Sequence, residues 1–301
     1  MFPRTEVRAP AAWFRLVLCL FSILPIDAAE VRDLLIVAGQ SNAVGYDAKP
    51  SGLPEDLIDR QILFWWRCGD PPPDKHDSIS GDKWMHLQAQ PLGHPIKPRK
   101  DRQYGNFGQP EGGFGPEMGM ARALAKDKGR KQAVLKAAFS GTGIRRDWDP
   151  GSDGDNGSCY RALVSEVKSA IEAAKKKGIE FRLRAFTWVQ GESDANQNDV
   201  EHYEKALRDM LAALRKDLGA PNLKSLLAVN TRFLEGQNKF MPRIVAAQKS
   251  VAAGDPLVAY VDTSKCTIAN RVHFDAAGTL EAGRLFAEQL LKLENGDQSG
   301  R

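Results

Sequence analysis

A hydroxyl, an imidazole, carboxylates and glycine amides stand at or just beyond the ends of apolar runs in this sequence. Residues 34–46, "LLIVAGQSNAVGY", pass from an apolar run into Gly39, Gln40, Ser41 and Asn42. A second run ends at Phe139 and is followed by Ser140, Gly141, Thr142 and Gly143; a third ends at Val189 and is followed by Gln190, Gly191, Glu192, Ser193 and Asp194. His273 stands in "NRVHFDAAG", just ahead of a helical pattern. Each has an ordinary alternative, since Gly, Ser and Asn favour turns and carboxylates favour helix starts. Together they are the parts that acyl transfer requires. A serine hydroxyl is a weak nucleophile at neutral pH and needs a base, and the base needs a carboxylate to fix its tautomer. The developing oxyanion needs fixed donors, here the amides of Ser41 and Gly141 and the side chain of Gln190.

The elements that must position these groups follow from periodicity. Strands are expected at Leu34–Ala38, Ile62–Trp66, Ala133–Phe139, Leu183–Val189, Ser225–Val229 and Leu257–Val261, all near-continuously apolar. Helices are expected from Pro116 to about Gly129, from Tyr160 to Gly178, from about Asp199 to Leu218 and from about Asp275 to Leu293. Apolar strands alternating with helices predict a mainly parallel sheet covered on both faces, whose ligands bind at the C-terminal strand ends. Gly39 would then let the chain bend so that the Ser41 hydroxyl emerges at a helix start. Residues 71–114 break the rhythm with "PPPDKHD", "PLGHPIKPRK" and "YGNFGQPEGGFG" and are expected to form a rim over a site. His76, His86 and His94 fall there and read as solvent-facing, and His202 lies in a charged helix, which leaves His273 as the best available base.

The formal charge of +4 comes from interspersed signs, so no basic face suggests nucleic acid. Arg4, Arg8 and Arg15 precede the apolar run from Leu16 to Ile26, with Ala28 and Ala29 after it, a secretory signal pattern too short for a comfortable membrane span. The expected organisation is a signal peptide at 1–29, one domain at 30–295 and a disordered tail at 296–301, in a secreted or periplasmic protein with no other membrane association. Beyond that segment, Cys68, Cys159 and Cys266 lack any ligand spacing, so no metal is expected; one disulfide among them is open, without a pairing. The sequence is silent on oligomeric state.

Five short stretches together resemble the SGNH-type esterases of the sialate O-acetylesterase and acetyl xylan esterase group. They are "GQSN" at 39–42, "GFGPE" at 113–117, "SGTGIRRDW" at 140–148, "WVQGESDA" at 188–195 and "VHFDAAG" at 272–278, in the family's order. The resemblance implies a flavodoxin-like three-layer α/β/α hydrolase that removes O-acetyl groups from sugars through an acetyl-serine, with neither metal nor cofactor. It makes Ser41 the nucleophile and His273 the base, with Gly141 and Gln190 as oxyanion donors. Asn42, Arg145 and Trp148 are expected to meet the acetylated oligo- or polysaccharide, Trp148 and Tyr104 by stacking, and Arg145 with Arg146 as a holder of acidic sugars or a solvated pair. Two departures stand out. Members often carry Asp three residues before the histidine, where this chain has Asn270, and the glycine block reads Ser140-Gly141 in place of Gly-Gly. The orienting carboxylate is therefore expected to be Glu192, with Asp275 and Asp262 in reserve. The competing expectations are a catalytically impaired glycan-binding protein on the same fold, or an esterase of lipid or aryl esters.

Overall fold

The computed structural model describes residues 1, 29–72, 77–93, 107–126, 129–154 and 156–296. Nearly all of the expected leader and tail, together with His76, His94 and Tyr104, lie outside the described residues. Among the described residues eight strands form one sheet: β1 (Glu30–Gly39), β2 (Leu63–Gly69), β3 (Ser78–Ile79), β4 (Met85–His86), β5 (Gln132–Phe139), β6 (Ile179–Val189), β7 (Lys224–Ala228) and β8 (Val258–Tyr260). The order is β3-β2-β5-β1-β6-β7-β8, with β4 also on β2. The long strands pair in parallel, and only the two-residue β3 and β4 run antiparallel, against β2. The three-layer α/β/α class is therefore as expected. Counting the parallel strands alone along the chain, the order is 2-3-1-4-5-6, where flavodoxin itself runs 2-1-3-4-5.

The helices are α1 (Ser41–Val44), α2 (Glu117–Ala125), α3 (Ile144–Asp147), α4 (Ser158–Lys175), α5 (Tyr203–Asp217), α6 (Met241–Gly254) and α7 (Ala276–Glu294). Because successive side chains of a strand point to opposite faces, β1 feeds two cores. Leu34, Ile36 and Ala38 pack with the inner faces of α4, α5 and α6, whereas Leu35 and Val37 pack with those of α2 and α7. Both sides of β1 are buried, which is why its sequence shows an apolar run and no alternation. Helix α6 was not expected from periodicity. Its inward face reads Met241, Ile244, Gln248, Val251, with a glutamine where the pattern needs an apolar residue.

α2 and α7 cross at their backbones. A Cβ on Gly283 would lie 2.2 Å from the Pro116 carbonyl oxygen, and one on Gly119 would lie 2.2 Å from that of Leu280. A charged pair, Lys136 and Glu117, sits inside this half of the core. Lys136, in the middle of β5 and fully buried, donates to Glu117 Oε1 at 2.9 Å, to the Val44 carbonyl at 2.8 Å and to Gln90. A buried charge needs such partners. Among the described residues Cys68, Cys159 and Cys266 are buried and free, so the open disulfide does not form there.

Candidate functional site

β1 ends at Gly39 with φ +137°, a value that favours glycine, and a Cβ there would meet the Val189 carbonyl oxygen at 2.1 Å. The chain thus turns tightly against the end of β6, and Gln40 N donates to Val189 O at 3.0 Å. Gln40 Oε1 then accepts the Ser193 amide at 3.2 Å, which fastens the turn to the loop leaving β6. Ser41 opens the single turn of α1 and is 7% exposed.

Asn42 ties this turn to His273. Its Oδ1 accepts the Phe274 amide at 2.9 Å and its Nδ2 donates to the Val272 carbonyl at 3.2 Å, so it grips the backbone on both sides of the histidine. The same Nδ2 donates to Glu192 Oε1 at 2.8 Å, an oxygen that also accepts the Asn230 amide at 3.0 Å. Asn230 Nδ2 returns to the Val272 carbonyl at 3.1 Å. Glu192 is thus a hub beneath the site and makes no hydrogen bond to His273. Burial pushes its carboxyl above the usual range, opposed by these donors.

The carboxylate on His273 is Asp47. Its Oδ2 lies 2.6 Å from His273 Nδ1 and accepts Asn270 Nδ2 at 2.7 Å, while its Oδ1 accepts Gln109 Nε2 at 3.3 Å. Burial alone would raise its pKa, but the bonds from His273 and Asn270 outweigh burial and hold Asp47 below the ordinary carboxylate range. The Tyr46 ring covers the imidazole at 4.9 Å. The reserve carboxylates are elsewhere: Asp275 caps α7 through the Gly278 amide, and Asp262 accepts the Ser264 amide. Asp47 was missed because "VGYDAKP" reads as an ordinary turn. Its one sequence signal is that it follows the proposed nucleophile by six residues, inside the loop leaving β1.

The other expected residues divide. Gly141, exposed just beyond the end of β5, has φ +70°, and nothing lies within 4 Å of where a Cβ would stand. Gln190 is fully buried, and its amide nitrogen is committed to the Thr142 carbonyl at 2.9 Å and to Asp194, so the expected oxyanion donor is a brace between two loops. Asp194 also accepts the Ile144 amide at 3.1 Å, and burial raises it to about 7. Trp148 is fully buried with its indole N–H on Thr142 Oγ1, which excludes it as an exposed stacking platform. Asn42 is likewise spent on the framework and not offered to substrate. Arg145 is half exposed and lies 3.6 Å from Asp199. His86 is exposed, as expected, and His202 is exposed as well. A cavity of about 460 Å³ opens beside Tyr46, Asp47, Gln109, Asn270 and His273. Among the described residues no group of three or more His, Cys, Asp or Glu could hold a metal ion, and no helix is long and apolar enough to cross a membrane.

A doubly wound α/β/α layer with polar groups gathered at the C-terminal ends of β1, β5 and β6 is a fold class shared by many hydrolases. The sequence pattern of carbohydrate esterases described as sialic acid-specific acetylesterases matches residues 31–292, and the chain belongs to that family. Among solved structures it is similar to a protein from Arabidopsis thaliana (TM-score 0.60, 19% identity, 88% of this chain and 98% of that one). It is also similar to NanS (TM-score 0.54, 18% identity, 90% and 100%) and to a carbohydrate acetylesterase from Xanthomonas citri (TM-score 0.54, 13% identity, 88% and 56%). At these identities the likeness is one of fold. No curated protein matches the sequence.

Proposed function

We propose that this protein is a secreted carbohydrate O-acetyl esterase that works through an acetyl-serine at Ser41. Ser41 Oγ attacks the acetyl carbonyl carbon while His273 takes the hydroxyl proton. The tetrahedral oxyanion is met by the amides of Ser41 and Gly141. On collapse the bond to the sugar oxygen breaks and His273 returns the proton to that oxygen, leaving the acetyl group on Ser41. Water, deprotonated by the same imidazole, then attacks the acyl carbon and releases acetate with the serine restored. Asp47 takes the orienting place expected of Glu192, because a negative oxygen 2.6 Å from Nδ1 fixes the tautomer and stabilises the imidazolium.

The observation that carries this reading is the pair of bonds from Asn42 to the residues flanking His273, which bind the serine turn and the histidine loop into one unit. A carboxylate on His273 despite the departure at Asn270 supports turnover over the catalytically impaired glycan-binding protein. Ser41→Ala is expected to abolish hydrolysis of a nitrophenyl acetate and covalent labelling by a phosphonate or sulfonyl fluoride. Wild-type protein that shows neither serine-dependent turnover nor labelling refutes the proposal, and acetate release across a panel of acetylated glycans would identify the substrate. The leader-like residues 1–29 support export, which secretion of the tagged full chain would test.

A further inference from the structure

We propose that Asn270 is a positioning residue that clamps Asp47 onto His273, so that amide and carboxylate have exchanged places relative to the Asp-x-x-His pattern. The inference rests on the esterase reading above. The Asn270 side chain has its two ends in different places. Oδ1 accepts the amides of Val272 at 2.9 Å and His273 at 3.0 Å, whereas Nδ2 donates to Asp47 Oδ2 at 2.7 Å. That same oxygen receives His273 Nδ1 at 2.6 Å. One side chain therefore links the backbone of the base to the carboxylate that orients it. Asp47 Oδ2 has two donors converging on it, while Oδ1 has the longer bond from Gln109, at 3.3 Å.

Only a group with both an acceptor and a donor serves this arrangement, and an amide has both. An aspartate at 270 would keep the acceptor for the two backbone amides and replace the donor with a second carboxylate oxygen against Asp47. Two carboxylates at that separation share one proton, and they cannot both ionise without strong repulsion. Asn270→Asp restores the family's usual residue, yet it is expected to impair this protein. The variant would work while the pair holds a proton, which reproduces the missing donor, and would fail as pH rises and that proton leaves. Among the described residues the titratable group on Asp47 is His273, and Glu192 is the further carboxylate whose charge acts on His273. Wild type has no titratable donor at 270 and so no such alkaline loss from this position.

The test is kcat and KM for a nitrophenyl acetate from pH 5 to 9 on the full chain as wild type, Asn270→Asp, Asn270→Ala and Ser41→Ala. Misplacing the acid relative to the base costs on the order of tenfold or more in kcat. Asn270→Asp is expected to show that loss at pH 8 with KM changed less than twofold, recovering toward low pH. Asn270→Ala is expected to lose kcat at every pH with no new alkaline limb. A variant Asn270→Asp as active as wild type across the range overturns the inference, because a residue that only caps the backbone turn keeps its acceptor there. Should that variant fail to fold by thermal melting, unchanged kcat in Asn270→Ala overturns it instead. Turnover that survives Ser41→Ala would refute the esterase reading itself, so the two failures are distinct.

Discussion

Asp47 and Glu192 lie in one polar cluster, and their environments drive them in opposite directions. Donors hold Asp47 ionised, while burial favours the neutral form of Glu192. If Asp47 orients the base, Asp47→Asn lowers kcat by roughly 10³–10⁴-fold, the scale of losing a triad carboxylate. Glu192→Gln keeps an acceptor for Asn42 and Asn230 and is expected to cost less than tenfold. Steady-state kinetics of the two variants decide between the carboxylates, and the reverse ranking returns the role to Glu192. At this scale the sequence placed Ser41 and Gly141 at the C-terminal end of the sheet because each follows an apolar run, and His273 because it stands just ahead of the last helix. It did not reveal Asp47, whose bond to Asn270 spans 223 residues and leaves no local pattern. Nor could it show that Gln190 and Trp148 turn inward, since an amide or indole beside a glycine loop has the same spelling whether buried or exposed.

Among the elements, all six parallel strands and four of the longer helices follow from the apolar patterning, with boundaries shifted by a few residues. α1 and α3 are single turns, too short for any period to register, and α6 hides behind Gln248. That glutamine explains its own place: its Nε2 donates to the Gln190 carbonyl at 2.9 Å and to the Tyr203 hydroxyl at 3.0 Å, bracing the loop after β6 from below. Lys136 plays the matching part under α1 through the Val44 carbonyl. Removing one partner of a buried pair leaves an uncompensated charge, at a cost of about 3–5 kcal/mol. Lys136→Met is therefore expected to lower the urea midpoint sharply, and adding Glu117→Leu to recover most of the loss. A single variant as stable as wild type would mean that the pair is dispensable.

For the whole molecule, Asp194 couples stability to pH. Its carboxyl titrates at about 7 when folded against 3.8 for the ordinary group. Between these values the folded chain holds a proton that the unfolded chain has lost, so this contribution is complete below about pH 4 and disappears as pH rises through about 7. Its size is on the order of a few kcal/mol. Glu192 contributes with the same sign, Asp47 with the opposite one. Urea unfolding from pH 4 to 8 is expected to show this loss and Asp194→Asn to flatten it, whereas an identical slope in the variant would assign the effect to other groups.

The bonds from Asn42 to Val272 and Phe274 join segments 230 and 232 residues apart. If Ser41 is the proposed nucleophile, a chain still emerging from the ribosome carries it as an ordinary alcohol. On the proposed mechanism, reactivity arrives only when the segment around His273 has folded back onto the first strand, and acetylated sugars met before that moment would be safe from it.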